Sequence, residues 1–201
     1  MDTGSIAAAM TTTRCSRTVR RVRSTLPQPP GIIPDEHITT RRDSTAMAAF
    51  RLTSSAFGHD GKLPLRYTVS GDDASPPLEW SGAPEGTKEF VLICEDPDAD
   101  AGVITHWIVY GLLPDTAGLP EGVPRNVIVD EPVELCQGLN EFDESGYTGP
   151  LPPEDRGPHR YFFRLYALDT ELDIPPGVMR ADLRRAARDH IIGETFLVGI
   201  A

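Results

Sequence analysis

The chain has 201 residues, 39% hydrophobic and 24% charged, enough for one globular domain with a sizeable core and too few for two. A formal net charge of -11 and a pI near 4.8 repel phosphate backbones and anionic lipid surfaces, which argues against nucleic acid and membrane partners. No apolar run approaches the roughly 18 residues of a bilayer span, and Cys15, Cys94 and Cys136 form neither a disulfide framework nor a CxxC motif, so a soluble, cytoplasmic protein is expected.

Residues 1–46 differ in kind from the rest. Arg14, Arg17, Arg20, Arg21 and Arg23 sit among Ser and Thr ahead of the turn-rich segment Leu26 to Pro34, and nothing there reads as a core element. This segment holds 7 basic and 4 acidic residues, which leaves 12 and 26 of the totals of 19 and 30 for residues 47–201, a net charge of -14. A disordered extension, a start upstream of a natural Met47, or an organelle transit peptide all fit, whereas the apolar region of a secretory signal is missing. Residues 47–201 are read as the single domain.

From Phe50 onward, short runs of β-branched and aromatic residues alternate with Gly, Pro, Asp and Asn clusters, the rhythm of a mostly β fold. Strands are expected at Arg66 to Val69, Glu89 to Glu95, Thr105 to Leu112, Arg160 to Leu168 and Phe196 to Ile200, with loops elsewhere. One helix is predicted, Met179 to Ile192. Leu183, Ala187 and Ile191 share a stripe, Arg184, Arg185 and Arg188 lie outside it, and Gly193 stands where a stop belongs.

Three stretches could carry chemistry. Glu95-Asp96-Pro97-Asp98 follows a buried strand, and in extended chain Asp96 and Asp98 would point to one side; a polar turn is the plainer reading. His106 opens an apolar strand about ten residues downstream, a spacing that suits a hairpin-like return beside the carboxylates, although a core histidine would look the same. Gly146 to Pro153 is a stiff, proline-rich wall or a surface loop, and it is followed by His159 and Tyr161 on one face of the next strand.

Taken together, Asp96-Pro97-Asp98-Ala99, His106-Trp107, Gly138-Leu139-Asn140, Tyr147 to Pro153 and His159-Arg160-Tyr161 resemble the phosphatidylethanolamine-binding protein family, specifically its prokaryotic, YbhB/YbcL-like branch. The likeness extends upstream to Phe57, Gly61, Pro64, Tyr67, Gly71, Ser75-Pro76-Pro77-Leu78 and Trp80, and downstream to Tyr166-Ala167-Leu168-Asp169, covering about residues 50–201. The resemblance implies a Greek-key-like fold of two antiparallel sheets with a C-terminal helix and a small anion-binding cavity at one end. It further implies non-enzymatic binding of a phosphate or phosphorylethanolamine-like head group, with no cofactor or metal. A homodimer is compatible with it, and some eukaryotic relatives have a regulatory, protein-binding role in kinase signalling.

Carried over position by position, Asp96, His106, Gly149, Pro150, His159 and Tyr161 would line the cavity, and Asp98, Trp107, Pro152 and Pro153 would support it. The chain departs from the family pattern at Asp100, where a proline usually follows DPDA, and at Leu151, where many prokaryotic members have Cys.

A phosphate beside Asp96 requires an intervening proton, from imidazolium rings at His106 and His159 or from Asp96 itself. Binding is therefore expected to be proton-linked. The rival reading is a metal-dependent or acid/base phosphoester hydrolase built on Asp96, His106 and His159, against which stand the lack of HxH or HxxxH spacing and of a nucleophile beside a base.

Overall fold

The computed structural model describes residues 49–151 and 157–201, so the extension expected over residues 1–46 lies outside the described residues. Among the described residues, two sheets and one α-helix make up the fold. The small sheet has the order β1 (Arg51–Thr53), β3 (Leu78–Ser81), β6 (Gly118–Leu119), all antiparallel. In the large sheet β2 (Gly61–Lys62) edges a seven-stranded array that continues with β10 (Ile191–Ile200), β9 (Arg160–Leu168), β4 (Glu89–Asp96), β5 (Ile104–Leu112), β8 (Leu135–Gln137) and β7 (Ile128–Val129). Its pairings are antiparallel except for the short parallel contact between β2 and β10.

β4 is buried along its whole length, which explains its unbroken apolar run Phe90 to Cys94. One face of the large sheet packs against the small sheet through Leu92, Trp107, Val109, Phe163 and Leu165, which meet Leu52, Leu78 and Leu119. The other face, with Val91, Ile93, Ile108 and Tyr110, is covered by Leu183 and Ala187 of α1 (Arg180–Ala187). Glu95 at the end of β4 faces this helix. Buried itself, it accepts hydrogen bonds at 2.9 Å from both Arg180 Nη1 and Arg184 Nη2, fastening α1 to the sheet. Its neighbour Asp96 points to the opposite face, by the alternation of a strand.

Two sequence expectations need correction. Arg66–Val69 is not a strand: Leu65–Tyr67 forms a 3-10 turn, closed by Thr68 Oγ1 donating to the Leu65 carbonyl at 2.7 Å. Pro64 ahead and the turn at Ser70-Gly71 behind leave no room for an extended run. The helix ends at Ala187 rather than Ile192, and Ile191 and Ile192 begin β10. Pairing with β9 and the β-branched side chains outweigh the helical spacing there. Gly193 is no helix stop; it sits at a register shift in β10, where a Cβ would come within 2.6 Å of Pro84 Cγ.

Candidate functional site

β4, β5 and β9 end side by side at one edge of the inter-sheet core, and there they deliver Asp96, His106 and Tyr161, with His159 one residue before β9. His159 Nδ1 donates to Asp96 Oδ2 at 2.8 Å, and the other carboxylate oxygen accepts the Asp98 backbone N–H at 2.8 Å. Both side chains of the pair are buried.

His106 reaches the same place through a bulge. Cys94 pairs with Trp107 and Glu95 with Thr105, so His106 is an extra residue with no partner on β4. In a regular strand His106 and Trp107 would face opposite sides. The extra residue brings His106 to the Trp107 face, where its ring meets Tyr161 edge-on at 5.1 Å and Phe142 at 5.6 Å.

The ring is pinned by the wall segment. His106 Nδ1 lies 2.7 Å from the Thr148 carbonyl oxygen, which can only accept, so Nδ1 carries the proton and Nε2 is the free position of the neutral ring. Burial holds the His106 pKa below its ordinary 6.5, against the Thr148 bond and the charges of Asp96, Glu141 and Asp73, which favour the charged ring. Burial also pushes the Tyr161 phenol up, reinforced by the Asp96 carboxylate, so Tyr161 stays a neutral donor at physiological pH.

The wall is held from both sides. Gly149 N–H donates to Asp73 Oδ1 at 2.6 Å, and a Cβ at Gly149 would come within 2.6 Å of the Tyr67 carbonyl oxygen and 2.8 Å of Thr68 Cα. Pro150 is buried and its carbonyl accepts from Val69 N–H at 3.1 Å. Tyr147 donates to the Tyr67 carbonyl at 2.8 Å. Asn140, fully buried, shapes the approach to the wall: its Oδ1 accepts from the amides of Phe142 and Glu144, and its Nδ2 donates to Thr148 Oγ1 at 2.9 Å.

Of the residues expected to support the site, Asp98 turns away from it. Asp98 does not face the same region as Asp96, because the turn that gives its N–H to Asp96 sends its side chain to Arg160. Three bonds, from the Arg160 amide, Nε and Nη2, hold it there and lower its pKa to about 2, the guanidinium contact being the largest cause. Trp107 is a core residue whose Nε1 donates to Gln137 Oε1 at 2.6 Å. Pro152 and Pro153 lie outside the described residues. Asp73 has no place among the sequence candidates, and Asn140 and Thr148 appear there only as parts of motifs.

Among the described residues no three His, Cys, Asp or Glu side chains gather in a geometry that could hold a metal ion. No described helix is long and apolar enough to cross a membrane.

Comparison with known proteins agrees with this architecture. The phosphatidylethanolamine-binding protein family model matches residues 53–201. A UPF0098 protein of Methanothermobacter thermautotrophicus is 47% identical over 149 residues, 74% of this chain and 96% of its own length. A phosphatidylethanolamine-binding protein homologue of Chlamydia trachomatis has a crystal structure that aligns with a TM-score of 0.68 at 39% identity, covering 76% of this chain and 97% of that one. For YbcL of Escherichia coli, described as a member of the mammalian family, the TM-score is 0.70 at 29% identity, with 76% and 98% covered. The chain therefore belongs to the phosphatidylethanolamine-binding protein family.

Proposed function

We propose that the Asp96, His106, His159 and Tyr161 cluster binds a small anionic head group, phosphate or phosphorylethanolamine-like, without turning it over. The observation that carries this reading is the anchoring of both histidines through Nδ1, one on Asp96 and one on the Thr148 carbonyl. Each ring then offers Nε2 to a ligand. A neutral imidazole presents a lone pair there and repels a phosphate oxygen, whereas the imidazolium donates a charge-assisted hydrogen bond. Gly149, Pro150 and the Tyr161 hydroxyl complete the lining, and membership of the family supports a ligand-binding role.

The sign of the pH dependence follows. Burial disfavours a charged His106 in the free protein, so an arriving anion must draw a proton onto the ring, and affinity rises as pH falls. Calorimetric titration of phosphate and phosphorylethanolamine between about pH 5.5 and 8 tests this. Tighter binding at the acid end, with proton uptake seen as a buffer-dependent enthalpy, is expected, and His106→Ala should cost about 1 to 3 kcal/mol of binding. A pH-independent affinity, or none, would overturn the reading.

A hydrolase has less in its favour. Among the described residues no three His, Cys, Asp or Glu side chains gather in a geometry that could hold a metal ion for such a reaction.

A further inference from the structure

Each histidine of the cluster is backed by an aspartate, His159 directly and His106 at one remove. The Thr148 carbonyl that accepts His106 Nδ1–H at 2.7 Å and the Gly149 N–H that donates to Asp73 Oδ1 at 2.6 Å belong to the same peptide group. We propose that Asp73 is a positioning residue for the anion site, acting through the Thr148–Gly149 peptide to fix the His106 tautomer and to favour its protonated ring. The inference rests on the function proposed above for what the ring then does.

A trans peptide sends its C=O and N–H to opposite sides, so holding the N–H on Asp73 aims the carbonyl at His106. A carboxylate also polarises the peptide it accepts from, which makes the carbonyl at the other end a stronger acceptor for Nδ1–H. The carboxylate is itself fixed. Its Oδ2 pairs with Arg125 Nη2, and the same nitrogen donates to the Asp73 backbone carbonyl at 2.8 Å. Asp73 adopts a left-handed φ of 52°, which a short polar side chain tolerates better than most. The close approach also needs glycine at 149, where a Cβ would stand 2.9 Å from Asp73 Oδ1.

Other groups face the ring as well. Asp96 from β4 and Glu141 from the segment after β8 add negative charge that favours protonation alongside Asp73, while Tyr161 from β9 and Phe142 pack against it without charge. Asp73 is thus one of three carboxylates acting on His106, distinguished by its hydrogen-bonded path to Nδ1.

The test is a histidine nitrogen NMR titration of the ligand-free full chain, comparing wild type with Asp73→Asn. Wild-type His106 should show the Nδ1–H tautomer. In Asp73→Asn its pKa should fall by about half a unit, roughly a threefold loss in protonation constant, with a larger share of the other tautomer. Arg125→Gln, which leaves Asp73 in place but removes the cation that neutralises it, should shift the His106 pKa the other way, upward, and it serves as the readout where Asp73→Asn does not fold. Inorganic phosphate affinity at pH 6.5 should drop about threefold in Asp73→Asn and be untouched by the same change in a His106→Gln background. An unchanged His106 titration in a folded variant overturns the proposal, as does an equal loss of phosphate binding in the His106→Gln background. Failure of wild type to bind phosphate would sink the anion site alone, because the ligand-free titration still decides the role of Asp73.

Discussion

Asp96 and His159 meet 2.8 Å apart at the ends of adjacent antiparallel strands, with side chains 4% and 11% exposed. Removing one partner strands the other in a poorly solvated place. His159→Ala should therefore destabilise the fold by about 3 kcal/mol in urea unfolding at pH 7, since it takes the partner of Asp96 Oδ2 and leaves the buried carboxylate with the Asp98 amide and the Tyr161 hydroxyl. Combining it with Asp96→Ala should cost clearly less than the sum of the single changes. Strict additivity would mean that the two side chains do not stabilise each other.

Gly149→Ala forces a Cβ into the Tyr67 carbonyl oxygen at 2.6 Å and Thr68 Cα at 2.8 Å, both backbone and neither free to swing aside. The wall must move, and the Thr148 carbonyl moves with it. The expected cost is roughly 1 to 3 kcal/mol of stability, accompanied by loss of the His106 Nδ1–H tautomer. Gly157→Ala, at a φ of 78° but with open space around it, is the control: it should cost stability without touching His106. A normal His106 tautomer in Gly149→Ala would show that the wall does not hold the ring.

The strands that bury both faces were legible. β4 and β5 are runs of β-branched and aromatic residues, and their bounds differ from the sequence expectation by one residue. The mostly β architecture and the family could be read from the same chain. Strands of two or three residues such as β2, β6 and β7 are too short to show a period. At α1 the helical stripe ran on into β10 because Ile191 fits both patterns, and only pairing with Leu168 decides between them. His106 could be named as a candidate but not aimed, since alternation places it opposite Trp107 and the bulge that reverses this is a tertiary feature. Asp73 was not legible at all: its hydrogen bond to Gly149 spans 76 positions, and an aspartate in a turn before Ser75 looks like any other.

Glu95 offers a test of how α1 is held. Its buried carboxylate takes bonds from Arg180 and Arg184, with Arg164 Nε at 3.7 Å. Glu95→Gln halves the acceptor capacity and removes the charge that both helix arginines pair with, leaving Arg180 the more distant Glu141 at 3.7 Å. Amide exchange in Arg180–Ala187 should accelerate about tenfold or more, while the centre of β4 stays protected. Equal acceleration in both would mean that the helix unfolds with the sheet and that this cluster is not its particular anchor.

Glu89 gives a pH dependence of opposite sign to that of His106. Its side chain is buried at the start of β4, where its two oxygens accept from Gly111 N–H at 2.8 Å and Leu172 N–H at 2.7 Å. Burial pushes its pKa up from 4.5 to about 7, against the pull of those two amides. A carboxyl with a raised folded pKa stabilises fully below its unfolded value and loses that contribution as pH rises through the folded one. The Glu89 contribution is therefore complete below about pH 4.5 and gone above about pH 7, a change of roughly 3 kcal/mol. His106, with its pKa lowered, works the other way, costing stability as pH falls below 6.5. Total stability is thus a poor readout, and the difference between wild type and Glu89→Gln isolates one group. Urea unfolding between pH 4.5 and 8 should show that difference shifting against wild type by about 3 kcal/mol as pH rises, because glutamine cannot ionise. A difference that does not change with pH would mean that Glu89 is already ionised at the acid end, held so by its two amides.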